Sequence, residues 1–203
     1  DHDSIELMGD KDKARLLVKE LGIPLLPGYE NSKEKETKLL SEAKKIGFPV
    51  LLKASAGGGG KGMRTVFKET EFINSLNEVR REAKNVFGDD RIIIEKYIES
   101  GRHIEVQILG DNNGNILHLF ERECTIQRRY QKIIEETPSK VLDKNLRKDM
   151  LECAMQIGKK LGYKSLGTVE FIYDNKTKKF FFLEVNTRIQ VEHPITEEIT
   201  GID

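Results

Sequence analysis

Apolar residues at helical spacing predict four helices. The first follows the capping residue Asp10 and ends at Gly22, with Leu16, Leu17, Val18 and Leu21 on its apolar side. The second spans Glu34 to Ile46. The third and fourth lie in ETEFINSLNEVRREAKNVFG and DKNLRKDMLECAMQIGKKLG. Their apolar stripes comprise Phe72, Leu76, Val79, Ala83 and Val86, and Leu146, Met150, Ala154, Ile157 and Leu161.

Short apolar runs predict strands in PVLLKA, MRTVF, RIIIEKYI, RHIEVQILG, NILHLFEREC, SLGTVEFIYD and KKFFFLEVN. DNNG is a hairpin turn signal, whereas TIQRRYQKIIEETPS is charged and predicts irregular structure. Strands adjoin strands more often than helices, which predicts an α+β fold. We expect an N-terminal helix and connector over 1–26, a small β-α-β-type unit over 27–96 and a second unit over 97–203.

The charge balance excludes some partners. Among 203 residues, 37% are hydrophobic, and 34 Lys and Arg offset 34 Asp and Glu. Zero net charge argues against bulk binding of nucleic acid or of an anionic membrane. The two cysteines have neither metal spacing nor a disulfide framework. With no visible signal peptide and no apolar run of membrane-span length, a cytoplasmic location is expected, and the mitochondrial matrix stays open.

The stretch KASAGGGGKGMR raises the question of a phosphate site. A P-loop fails because Ser55 stands where its first glycine belongs and Gly62 replaces its Ser or Thr. A dinucleotide fingerprint fails because a strand, not a helix, is predicted after the glycines. Two interpretations remain: a flap whose backbone N–H groups close over phosphates, or a flexible surface turn.

Alternating polar residues mark FFFLEVNTRIQVEHP. If the strand stays extended, one face carries Glu184, Asn186, Arg188, Gln190 and Glu192. An antiparallel hairpin turning near residues 175–178 would place Glu170 opposite Glu184, about 5 Å away. Two such carboxylates repel, so either a divalent cation binds between them or Arg or Lys neutralises them.

Other candidates are weaker on the sequence alone. Lys53 ends a strand before the glycines, and Lys11 begins a helix. The segment 95–97 follows an apolar run and is either a nucleotide-binding hinge or an ordinary strand end. His103 lies on a polar strand face, and QRRYQK offers four anion donors or a solvated surface.

Taken together, MGDK, KASAGGGGKGMR, EKYIESGRHIEVQILGD, ERECTIQRRYQK, GTVEF and FFLEVNTRIQVEHPITEEITG resemble the biotin carboxylase family of ATP-grasp enzymes. The resemblance covers nearly the whole chain. It implies two α+β subdomains that hold ATP between them, with 27–96 as the lid and 97–203 as the core. It also implies that ATP phosphorylates bicarbonate to carboxyphosphate, whose carbon dioxide carboxylates biotin on a carrier domain, and that a carboxyltransferase component and an oligomeric parent protein exist.

The resemblance also implies roles for individual residues. Mg²⁺, or Mn²⁺, would be held by Glu170, Glu184 and Asn186. Arg188, Glu192 and Lys132 would be catalytic, with Glu192 as the general base toward bicarbonate. The nucleotide and bicarbonate would be bound by Lys11, Lys53, Gly59, Gly60, Glu95, Lys96, Tyr97, Ile98, His103, Gln127, Tyr130, Gln190 and Val191.

Two departures from the family accompany the resemblance. Tyr130 stands where bacterial acetyl-CoA-type sequences carry histidine, which puts that nucleotide contact in doubt. The family's flanking N- and C-terminal domains and an AMKM-like biotin attachment motif are absent from the sequence, so we expect an excised central domain. The alternatives are a carbamoyl phosphate synthetase-type ligase and a nucleotide-binding module without turnover; a dehydrogenase is least favoured.

Overall fold

The computed structural model describes residues 2–30, 34–56 and 61–203, and it contains two antiparallel sheets with helices against them. The glycine stretch 57–60 lies outside these residues, so the flap prediction stays a prediction. The helices are α1 (His2–Gly9), α2 (Lys11–Glu20), α3 (Glu36–Ile46), α4 (Phe72–Phe87), α5 (Lys144–Lys160) and α6 (His193–Thr200). The strands are β1 (Gly28–Tyr29), β2 (Val50–Ala54), β3 (Met63–Val66), β4 (Ile92–Lys96), β5 (Gly101–Gly110), β6 (Ile116–Arg128), β7 (Gln131–Glu136), β8 (Ser165–Asp174) and β9 (Lys179–Asn186).

The smaller sheet has the strand order β1-β4-β2-β3 and is covered by α3 and α4. The predicted stripe of α4 is buried against it at Phe72, Leu76, Val79 and Ala83. Val86, which we expected on this stripe, is 49% exposed, and Phe87, four residues after Ala83, packs against the core in its place.

The larger sheet has the order β7-β6-β5-β8-β9 and packs against α5 and α2. Asp10 caps α2 as predicted, since its Oδ1 accepts hydrogen bonds from the backbone nitrogens of Asp12 and Lys13. The prediction for Leu16 was wrong: it is 62% exposed. Ala14 and Val18 form the buried face, and a residue two positions from each points to the opposite side of a helix.

The charged segment predicted to be irregular is ordered structure. It forms the end of β6 and the edge strand β7, joined by a two-residue turn in which Arg129 and Tyr130 have φ angles of 52° and 63°. The sequence of this strand has no apolar alternation. Its adjacent residues Ile133 and Ile134 are both exposed on the sheet edge. Backbone pairing with β6, which sequence periodicity does not report, defines this strand.

The polar alternation of the last motif does not continue as a strand. β9 ends at Asn186, and the chain then turns into α6, which begins at His193 with Pro194 in its first turn. Proline in the first turn suits a helix because its missing N–H would have no intrahelical partner there. The residues after Asn186 therefore reach their positions by a turn and a helix, not by sharing one strand face.

One connector contacts both sheets. The carbonyl of Pro24 accepts a hydrogen bond from the backbone nitrogen of Phe182 in β9, at 2.9 Å. The carbonyl of Pro27 accepts one from the backbone nitrogen of Lys96 in β4, at 2.8 Å. Residues 24–27 thus join the edge of one sheet to the end of the other.

Candidate active site

A cleft of about 760 Å³ lies between the two sheets. The smaller sheet and its loops contribute residues such as Lys53, Lys61 and Tyr97, and the larger sheet contributes mostly charged and amide side chains. Of the predicted site residues in the described part of the chain, sixteen line it: Lys11, Lys53, Lys96, Tyr97, Ile98, His103, Gln127, Tyr130, Lys132, Glu170, Glu184, Asn186, Arg188, Gln190, Val191 and Glu192.

Glu95 is placed beside the cleft and not in its lining. Its buried carboxylate pairs with Lys53 Nζ at 2.5 Å and with Arg15 Nη1 at 2.5 Å. Burial alone would raise the Glu95 pKa, but the two cations, Lys53 foremost, bring it below its usual value. Arg15 also donates to Glu30 and to the carbonyl of Leu26, so this ion cluster ties α2 to the smaller sheet.

Lys96 reaches the cleft but its ammonium group points elsewhere. Nζ donates to the carbonyls of Gly47 and Phe48, at 2.8 Å and 3.0 Å. The ammonium group therefore stabilises the turn before β2. Only other atoms of Lys96 line the cleft. Tyr97 makes an edge-to-face contact with Phe67, with ring centroids 6.1 Å apart.

The predicted β8–β9 hairpin register is confirmed: Glu170 and Glu184 are directly paired across the two strands. In the described residues each carboxylate has a cationic partner. Glu184 lies 3.6 Å from Lys11 Nζ, and Glu170 lies 3.1 Å from Lys132 Nζ. Asn186 Nδ2 donates to Glu170 Oε1 at 2.7 Å. Two carboxylates and an amide at one end of a hairpin are hard oxygen donors, a set that fits Mg²⁺.

Lys132, on β7 of the larger sheet, is a cleft cation that contacts three carboxylates. Its Nζ contacts Glu105, and it lies 2.6 Å from Glu192 Oε1 in addition to its contact with Glu170. Burial lowers the Lys132 pKa, but Glu170 and Glu105 outweigh this effect and raise it well above the usual range. The ammonium group therefore stays charged, which suits a binding site for an anion.

His103 is held on both ring nitrogens. Nε2 donates to Glu170 Oε2 at 2.7 Å, and Nδ1 accepts from Gln127 Nε2 at 2.8 Å. Burial lowers the His103 pKa, but the negative charge of Glu170 more than compensates, and the net shift is upward. Glu170 shows the converse: burial raises its pKa, whereas His103 and Lys132 lower it to about 2.

Arg122 is fully buried behind these groups, and sequence reasoning missed it. Its guanidinium donates to Glu105 Oε1 at 2.8 Å, to Gln107 Oε1 at 2.8 Å and to Thr196 Oγ1 at 2.7 Å. It also donates to Gln190 Oε1 at 3.0 Å. Arg122 therefore fixes the amide of Gln190, a cleft residue that follows β9, against strand β5.

Glu135 lines the cleft, and the sequence did not single it out. Its strand has no apolar period, and Lys132 was the only member of β7 that we predicted to act. Glu105, on the same strand as His103, was not predicted to act, and Arg122 gave no signal because its partners come from separate stretches of the chain. Gly59 and Gly60 lie outside the described residues.

Known proteins share this sequence over nearly its whole length. Residues 10–203 match the family model described as "Carbamoyl-phosphate synthase L chain, ATP binding domain". The chain belongs to this family. Within it, the predicted resemblance to biotin carboxylases is confirmed. Biotin carboxylase 1 of Bacillus subtilis is 50% identical over 201 residues, which cover 99% of this chain and 45% of that protein. The mitochondrial propionyl-CoA carboxylase alpha chain of Sus scrofa is 50% identical over 203 residues, covering 100% and 28%.

Solved biotin carboxylases have the same fold. The biotin carboxylase–β,γ-ATP complex from Campylobacter jejuni superposes with a TM-score of 0.95 at 44% identity, over 98% of this chain and 45% of that one. The biotin carboxylase domain of 2-oxoglutarate carboxylase from Hydrogenobacter thermophilus, in complex with MgADP, ADP and bicarbonate, gives a TM-score of 0.93 at 47% identity, over 98% and 44%. The predicted α+β, ATP-grasp fold is confirmed. The chain spans less than half the length of these relatives.

Across the residues that the structure describes, every helix is too short or too polar to cross a lipid bilayer.

Proposed function

We propose that this chain is the ATP-binding part of a biotin carboxylase, which uses ATP and bicarbonate to carboxylate biotin through carboxyphosphate. One observation carries the proposal. The cleft between the sheets brings together lysines of the smaller sheet, the Glu170–Glu184–Asn186 set, and the Lys132–Glu192 pair. Phosphoryl transfer depends mainly on positioning and on neutralising charge, and these groups supply both.

In this proposal, residues from both sheets bind the nucleotide. The segment 27–96 is the lid subdomain, whose Lys53, with Lys11, binds the nucleotide phosphates. Gly59 and Gly60 are assigned to the flap over those phosphates. His103 and Gln127, bonded to each other, hold the nucleotide from the 97–203 core, and the hinge 95–98 with Tyr130 borders it.

Glu170, Glu184 and Asn186 are the residues that would hold Mg²⁺, or Mn²⁺ in its place. When bound, such a cation would neutralise phosphate charge. Glu184 also pairs with Lys11, and Glu170 with Lys132.

The residues around Lys132 would act on bicarbonate. Lys132, Arg188, Gln190 and Val191 bind the anion, and Glu192 removes its proton as its oxygen attacks the γ-phosphorus. Arg188 is exposed, and its Nη1 donates to the neighbouring carbonyl of Ile189 at 3.3 Å. A long bond to an adjacent carbonyl is readily exchanged, so the guanidinium can turn to stabilise the reacting anion.

The relatives' names indicate the setting. They include biotin carboxylases and subunits of pyruvate, propionyl-CoA and methylcrotonoyl-CoA carboxylases. We propose a biotinyl carrier domain and a carboxyltransferase component as partners, with biotin as the carboxyl acceptor. We also propose an oligomeric full-length protein and a cytoplasmic or mitochondrial location.

The test is bicarbonate-dependent ATP hydrolysis by the full-length protein, with Mg²⁺ and with or without free biotin. We expect bicarbonate to be required and biotin to stimulate. Arg188→Met should reduce the rate by about 10²–10³-fold, the cost of removing one donor to a developing anion. Arg81→Met, an exposed arginine on α4 that does not line the cleft, is the matched control. Hydrolysis that is indifferent to bicarbonate would refute the proposal.

The family model's description supports a second candidate, a carbamoyl phosphate synthetase-type ligase. Its signature in the same assay is stimulation by ammonia or carbamate and indifference to biotin. Nucleotide binding without any turnover would instead favour the third candidate, a nucleotide-binding module.

A further inference from the structure

The proposed reaction leaves one carboxyl group of the cleft without a task. Glu135 lines the cleft near the end of β7. Its Oε2 is buried and has no hydrogen-bond partner among residues 2–30, 34–56 and 61–203. A buried carboxylate oxygen without a partner is costly, so such a group either binds a proton or faces a transient partner.

The surroundings of Glu135 decide between these roles. One carboxylate oxygen each of Glu135, Glu105 and Glu192, and Sγ of Cys124, lie within 4.8 Å of one another. Both carboxylate oxygens of Glu105 are paired, one with Arg122 and the other with Lys132. Glu192 is bonded to Lys132. Glu135 alone of these three carboxylates has no ion pair in the described part of the chain.

The two carboxyl groups that face each other here have opposite proton affinities. Burial, then the negative charges of Glu192 and Glu105, raise the pKa of Glu135 to about 7, and Lys132 and Arg122 only partly oppose this. Burial also acts to raise the Glu192 pKa, but the hydrogen bond from Lys132 leaves it below its usual value. Neighbouring acids with separated pKa values are typical of a proton donor and acceptor pair.

A base that is bonded to an ammonium group holds a proton poorly. Glu192 is in that position, so a proton that it takes from a substrate needs a further acceptor nearby. Cys124 does not meet this need, because burial raises its thiol pKa and keeps it protonated. Glu105 is fully buried and doubly paired.

We propose that Glu135 is a proton-relay residue that acts through Glu192, an inference that rests on the proposed function. As the bicarbonate oxygen attacks the γ-phosphorus, its O–H bond breaks and an O–H bond forms on Glu192. That bond then breaks as the proton moves to Glu135. Glu135, which is partly exposed, releases the proton to water, while ADP leaves with the electron pair of the broken phosphoryl bond.

The test compares Glu135→Gln with Glu136→Gln in the full-length protein. Glu136 is the next residue of β7, is exposed and is paired only loosely with Lys140 at 4.0 Å. We expect Glu135→Gln to lower the rate of bicarbonate-dependent ATP hydrolysis by about 100-fold, the lower end of what general acid–base catalysis contributes. We expect the wild-type rate to fall below about pH 7, where Glu135 is protonated, and this fall to be absent from the pH profile of Glu135→Gln. Glu136→Gln should match the wild type in both respects.

A second measurement needs no turnover. Carbon-13 NMR of glutamate side chains should show a carboxyl group that titrates near pH 7 in the wild type, assigned by its loss in Glu135→Gln. If no glutamate titrates there, the relay is overturned even where the hydrolysis rates agree with it. An active wild type with an unaltered rate and pH profile in Glu135→Gln overturns the relay alone. A wild type without bicarbonate-dependent hydrolysis overturns the proposed function, and the relay with it.

Discussion

Replacing Arg122 with methionine tests whether the buried ion cluster behind the cleft supports the fold. The change keeps an unbranched side chain but removes the charge and its donors to Glu105, Gln107, Thr196 and Gln190. Breaking a buried ion pair on one side costs about 3–5 kcal/mol, because it leaves an uncompensated charge. Lys132 still contacts Glu105, so we expect the lower end, about 3 kcal/mol.

Urea denaturation monitored by circular dichroism measures this loss directly. In a thermal melt of a chain of this size, the same loss of stability should lower the melting temperature by about 6–12 °C. The double variant Arg122→Met/Glu105→Gln should be more stable than Arg122→Met, because it no longer buries a carboxylate that has lost a partner. Arg64→Met, which breaks an exposed pair with Glu78, should cost at most about 1 kcal/mol. A loss of less than about 1 kcal/mol in Arg122→Met would refute the reasoning.

Further predictions concern ligand binding, pH and the thiols. Glu184→Gln should weaken Mg²⁺-dependent ATP binding, because the metal loses a charged ligand; unchanged calorimetric affinity across a Mg²⁺ titration would contradict the metal assignment. Lys53→Ala should weaken ATP by about 10–100-fold and adenosine hardly at all, as expected for a lost charged hydrogen bond; equal losses would show that Lys53 does not contact phosphate. Because the Glu135 pKa is raised on folding, its carboxyl should cost stability as pH rises from about 4.5 to about 7; Glu135→Gln should lack this loss in melting scans. Burial raises the pKa of Cys124 far above its usual value and that of Cys153 to about 11, so a thiol reagent at pH 7 should label neither in the folded chain while labelling both in urea.

The sequence predicted the parts of the site that depend on local rules. The pairing of Glu170 with Glu184 followed from a short polar turn and two apolar strands, since a hairpin's register depends on its turn. Asp10 was recognised as a helix cap because capping needs only the next few residues. The resemblance to a family supplied the remaining site residues, most of which line one cleft.

What the sequence could not predict depends on contacts between distant segments. Arg122 stands among charged neighbours in ERECT, and only the fold buries it against β5 and α6. Strand β7 has no apolar period, because pairing with β6 at the sheet edge, and not burial, maintains it. The alternation after β9 suggested one strand face, yet Gln190 and Glu192 reach the cleft through a turn and a helix start.

The connector 24–27 attaches both sheets to one short segment. Because Pro24 bonds to β9 and Pro27 bonds to β4, both sheets are attached to the same four residues. Proline fixes the φ angle of two of these four positions, Leu25 forms a β-bridge with Phe182, and the Leu26 carbonyl accepts from Arg15. A change in the position of β4 relative to β9 must therefore be absorbed within these four residues or break one of the two hydrogen bonds.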